Sequence, residues 1–110
     1  MKQYVIDEIR LGDYKKIKAY LDENFGSAGV EGIYWIPLEQ ENLTAIQAEH
    51  KKCQPFYFAI ELEPNLMACE LLVRSGNRMR CNCIGYATEK QRNWFIRFVD
   101  SIFDQLELKT

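Results

Sequence analysis

Residues 56 to 74 alternate in polarity with a period of two, and this narrows what the chain can fold into more than any other feature of it. Phe56, Phe58, Ile60 and Leu62 alternate with Tyr57, Ala59, Glu61 and Glu63. After a Pro64-Asn65 turn, Met67, Cys69, Leu71 and Val73 alternate with Ala68, Glu70, Leu72 and Arg74. Successive side chains of a strand point to opposite faces, so the pattern predicts two antiparallel strands with an apolar underside and a charged upper side. Ser75-Gly76-Asn77 reads as the next turn. A further strand is expected from Arg78 to Tyr86, with Met79, Cys81 and Cys83 opposite in facing to Arg78, Arg80 and Asn82.

The length of that second turn decides where the cysteines point, because a one-residue slip moves every side chain to the other face. A two-residue Gly76-Asn77 loop pairs Leu72 with Cys81 and turns Arg80 and Asn82 inward. Burying such groups unpaired costs several kcal/mol, roughly 2–7 for one amide. A three-residue loop pairs Cys69 with Cys83 and Leu71 with Cys81, and leaves Arg80 and Asn82 in water. The three-residue loop is therefore expected, with the cysteines in the core as small hydrophobes.

The rest of the chain supplies helices and two more strands. Tyr4 to Ile9 is β-branched and partly alternating, and reads as the first strand. Asp13 is the expected N-cap of a helix whose apolar positions are Tyr14, Ile17, Leu21 and Phe25, with Gly26 just past its end. Ile33 to Leu38 is apolar on both faces and reads as a covered strand, with Pro37 at its end. Asn42 is expected to cap a short helix from Leu43 to about Lys52, with Leu43, Ile46 and His50 on its inner face. Thr88 and Gln91 form a capping box for a last helix, Glu89 to about Leu106. Its apolar stripe covers roughly 200° of surface, where about 100° seats a helix. The order β-α-β-α-β-β-β-α predicts one α+β domain over residues 1–110, a largely antiparallel five-stranded sheet with helices mainly on one face.

Composition sets limits on function. The chain has 110 residues, 47% hydrophobic and 27% charged, with a net charge of −2. That is an ordinary globular composition, and its acidic balance argues against a generic nucleic-acid or anionic-membrane binder. The acids Asp7 and Glu8 stand where a leader would need an apolar run, and the Ile33–Leu38 run is far too short to span a membrane. A cytoplasmic protein with four free thiols is the expectation.

Four residues could ligate a metal: His50, Cys53, Cys81 and Cys83. Their donor set suits tetrahedral zinc, but H-x-x-C with C-x-C is a poor match to paired C-x-x-C knuckles. On a strand, Cys81 and Cys83 stand about 7 Å apart. Neither a metal nor a cofactor is therefore expected, and the thiols are expected to serve as packing. A Cys53–His50 nucleophile pair lacks any sign of thiolate activation apart from Lys51 and Lys52. The Gly26–Gly32 loop has the composition of a phosphate cradle, but it stands between a helix and a strand, the wrong order for one. No catalytic residue is expected.

Binding residues are expected among aromatic and basic side chains. Between Arg74 and Arg97 there are six basic residues and one acid, Glu89. With Tyr57 and Tyr86 alongside, the outer sheet face could hold a small anionic ligand, against the opposition of Glu61, Glu63 and Glu70. Tyr34, Trp35 and Trp94 are of the types favoured at interface centres. The surplus apolar surface of the second strand and last helix suggests a protein partner or a homodimer. The leading expectation is a non-catalytic binding or interaction module using Tyr34, Trp35, Tyr57, Arg74, Arg80, Tyr86 and Trp94. The alternatives are a metal- or thiol-dependent protein and an anion-binding domain.

Overall fold

The alternating segment Phe56–Glu63 is the spine of the sheet, and every other strand is placed by it directly or at one remove. In the computed structural model, which describes residues 2–26, 31–77 and 80–108, the elements are β1 (Gln3–Ile6), α1 (Leu11–Phe25), β2 (Ile33–Pro37), α2 (Ala45–Glu49), β3 (Phe56–Glu63), β4 (Leu66–Glu70), β5 (Leu72–Ser75), β6 (Gly85–Tyr86) and α3 (Glu89–Gln105). β2 pairs along one edge of β3, from Ile33 opposite Glu61 to Pro37 opposite Tyr57. Along the other edge run first β4 (Ile60 opposite Cys69) and then β5 (Tyr57 opposite Arg74). β1 flanks β4, and β6 flanks β5. All pairings are antiparallel, and the protein is α+β as expected.

The expected strand Met67–Arg74 is two strands, broken at Leu71. Its amide donates to Lys2 O (3.1 Å) and its carbonyl accepts from Ala87 N (2.7 Å). Leu71 thus stands where the outer neighbour changes from β1 to β6, and one straight strand cannot serve both.

The larger correction concerns the last strand. Among its described residues only Gly85 and Tyr86 pair, with Tyr86 opposite Leu72 and Gly85 opposite Val73. The connection from β5 is therefore long, not the three-residue turn, and Cys69 does not face Cys83. Arg80 and Asn82 lie exposed on a loop, not on a strand, so neither turn length would force them into the core. Arg78 and Met79, the start of the expected strand, lie outside the described residues, as does the middle of the Gly26–Gly32 connector.

Helix boundaries shift for local reasons. Glu8 adopts a left-handed backbone (φ 56°), which ends β1 short of Ile9. α1 begins at Leu11, so Asp13 lies in its first turn, where it accepts from Arg10 Nε at 3.2 Å instead of capping. Gly26, with φ 63°, ends α1 in a conformation that a Cβ disfavours. α2 is capped by Thr44, not Asn42: its hydroxyl accepts from Gln47 N and the Gln47 side chain accepts from Thr44 N. Starting later rotates the helix, so Gln47 is buried and Ile46 is exposed. Thr88 and Gln91 form the expected box on α3.

The core lies beneath the sheet. Phe56, Phe58, Ile60, Met67, Cys69 and Val73 point down into it and meet Ile17 and Leu21 of α1 and Phe95, Val99 and Ile102 of α3. Phe58 stacks on Phe95 with centroids 4.1 Å apart. Burying each such side chain is worth roughly 1.5–3 kcal/mol. The sheet and α1 both draw on the wide stripe of α3: Trp94 stacks on Phe58 of β3 and on Phe98, and Phe98 meets Phe25 of α1 edge-on. Among the described residues no helix is long and apolar enough to cross a membrane.

Candidate metal centre

Two short turns, about thirty residues apart in sequence, bring four soft ligands together. The first is a 3-10 turn at Lys51–Cys53 that follows α2. Its closing bond, Cys53 N to His50 O at 2.9 Å, places two side chains three residues apart on the same side, as this tight geometry does. The second is a β-turn closed by Ile84 N to Cys81 O at 3.0 Å, with Asn82 and Cys83 at its centre. Folding the C-N-C triplet into a turn removes the separation of about 7 Å that an extended strand would impose. Both sulfurs then reach one point.

The ligating atoms of His50, Cys53, Cys81 and Cys83 all lie within 4.8 Å of one another. With Zn–S near 2.3 Å and tetrahedral angles, two sulfurs on one zinc stand about 3.8 Å apart. The set therefore needs contraction of no more than about an ångström to close on a metal. His50 Nδ1 is 3.2 Å from Cys81 Sγ. Cys53 and Cys83 are buried, and His50 and Cys81 are half-buried. All four cysteines are free thiols.

Charge is unevenly shared within the cluster. Hydrogen bonds from the Cys83 backbone and thiol, with smaller help from His50 and Cys53, bring the Cys81 thiol down to about 6. Burial, with the neighbouring Cys81 and Cys53, pushes Cys83 up to about 12. Cys81 is thus the more easily ionised thiol of the pair, and a dication would be needed to draw the proton from its buried neighbour.

A polar network holds the second turn from behind. Gln47 Nε2 donates to Cys83 O at 3.2 Å. Gln91 Nε2 donates to Gln47 Oε1 at 2.9 Å and to Asn42 O at 2.8 Å. Each glutamine also closes its own helix's capping box, so the N-termini of α2 and α3 meet behind the cysteine turn. The first turn is tied to the end of β5: Ser75 Oγ donates to Cys53 O, Asn77 Nδ2 to Gln54 O, and Gly76 N to Pro55 O at 2.7 Å.

Cys69 is the exception among the thiols. It lies in the core with no exposure, and burial raises it to about 12. This is the inert packing expected of all four.

The expected binding residues separate into groups. Tyr34 is buried, with its hydroxyl donating to Asp22 Oδ1 at 2.5 Å. Trp35, Tyr57 and Arg74 stand together on the outer face of the sheet. Arg80 is exposed on the cysteine loop, and Tyr86 is exposed with the Lys2 ammonium 5.5 Å above its ring. Trp94 is half-buried in the aromatic ladder of α3. Gln47 and Gln91 were missed as members of the site, although Thr44-Ala45-Ile46-Gln47 carries the same capping signature as Thr88–Gln91. Comparison with protein-family models, curated proteins and solved structures finds no match.

Proposed function

We propose that this chain is a zinc-binding domain in which His50, Cys53, Cys81 and Cys83 hold one tetrahedral ion as a structural staple. The observation that carries this reading is the convergence of four ligand atoms to within 4.8 Å from two separate segments. Three thiolates and an imidazole match the softness and coordination number of zinc, and four protein ligands leave no open position for substrate. This supports a scaffold that presents a binding surface over an enzyme. Lys51 and Lys52, between the first two ligands, offset the net negative charge of a three-thiolate centre. Reduced thiols suit a cytoplasmic setting.

Cobalt substitution tests the proposal. One equivalent of Co²⁺ added to the reduced, metal-free protein should give thiolate-to-cobalt charge transfer and the intense visible bands of a tetrahedral site, both abolished by one equivalent of Zn²⁺. Weak octahedral bands, or none, would overturn it. A homodimer through β2 and α3 gains no support from the exposed large hydrophobic residues: among the described residues these are Val5, Leu11, Ile46 and Tyr86, none on β2 or α3.

A further inference from the structure

We propose that the pocket on the outer face of the sheet binds a small planar aromatic acid, with the aromatic body against Trp35 and Tyr57 and the acidic group on Arg74. Trp35 of β2, Tyr57 of β3 and Arg74 of β5 lie side by side across three adjacent strands, all pointing away from the core. With Phe25, Ser75 and Gly76 they line a cavity of about 580 Å³, which Ile84 completes. That volume is in the range that encloses small-molecule ligands.

The lining defines the ligand class. Trp35 and Tyr57 meet at 63° with centroids 6.3 Å apart, so a flat ligand can lie against one ring and meet the other edge to face, the two geometries aromatic pairs favour. Arg74 is the only charged residue among the described lining residues. Its Nε and Nη2 are held by Glu70 Oε1 at 2.7 and 2.6 Å. Glu70 itself lies outside the lining of this cavity. The ion pair therefore fixes the plane of the guanidinium and leaves its Nη1 donors for an anionic oxygen. Gly76 gives the pocket its depth beside Tyr57, since a Cβ there would come within 2.9 Å of that ring.

The inference stands without the metal, although the two sites share a frame. Ser75 is bonded to the carbonyl of Cys53, and Ile84 follows Cys83 in the chain.

The test is a ¹⁵N NMR titration of the 110-residue chain, carrying whatever metal it purifies with. The probes are 2-naphthoate, 2-naphthyl phosphate and uncharged 2-naphthol. Both acids should give saturable shifts at the Gly76 amide and the Trp35 indole, and at least one should bind about tenfold or more tighter than 2-naphthol. Whichever acid binds tighter tells carboxylate from phosphate ligands. Arg74→Gln should bring the acids to the level of 2-naphthol, and Trp35→Ala should weaken all three. If Trp35→Ala fails to fold, Trp35→Leu keeps an apolar side chain while removing the ring. Absence of saturable shifts, equal binding of acids and 2-naphthol, or shifts centred away from these residues would overturn the proposal.

Discussion

Stripping the metal should lower the melting temperature by a calculable amount. The staple joins His50–Cys53 to Cys81–Cys83 and so closes a loop of about 29 residues between Cys53 and Cys81. Treated as a cross-link on the unfolded chain, closure of a loop of that size is worth about 3.5 kcal/mol at 25 °C. For a domain of roughly 100 residues, each kcal/mol moves the melting temperature by about 4–8 °C. Removal of zinc with a chelator under reducing conditions should therefore lower it by roughly 14–28 °C, and one equivalent of zinc should restore it. Scanning calorimetry on matched samples reads this directly, with elemental analysis to establish the metal content of each. If the chelated and zinc-loaded proteins melt together, the staple contributes nothing and the loop argument fails.

Further outcomes follow from single residues. Cys53→Ser, Cys81→Ser and Cys83→Ser should each lose stoichiometric zinc by elemental analysis. Cys69→Ser should keep it but lose about 1–3 kcal/mol by denaturant unfolding, because it leaves a hydroxyl in the apolar core. Cys69 also sets a pH dependence: its thiol is held protonated in the fold, near 12 against an ordinary 9.0. Its contribution is complete below about pH 9 and is lost as pH rises toward 12, so Cys69→Ala should flatten the alkaline limb of the stability profile in that window. Gln47→Ala removes the donor behind Cys83 and should weaken zinc about 10–100-fold in a chelator competition. Gly76→Ala forces a methyl against Tyr57 and Pro55 and should cost roughly 1–3 kcal/mol by thermal melting.

The sequence made the fold legible wherever one local signal decided the outcome. The alternation of Phe56–Glu63, the Pro64-Asn65 turn, Gly26 at the end of α1 and the Thr88–Gln91 box all act within a few residues, and each appears in the structure as read. The site was harder, because its decisive feature is the absence of a strand. Cys81-Asn82-Cys83 alternates as a strand would, and propensity alone does not distinguish that from a turn. The convergence of His50 with Cys81 depends on α2 stopping at Glu49 and on β6 shrinking to two residues. The four ligand identities could be read from the sequence, but their meeting point could not.

The bond between Gln47 and Gln91 makes the start of α2 and the start of α3 a shared boundary. Helix initiation is the costly step in building a helix, and here two such steps lean on one amide contact that also touches the Cys83 carbonyl. Order at the cysteine turn and order at the head of the longest helix are therefore gained or lost as a unit. A modest disturbance at one small loop would be felt first at the opening turn of α3, while Phe95, Val99 and Ile102 keep the rest of its seventeen residues seated in the core.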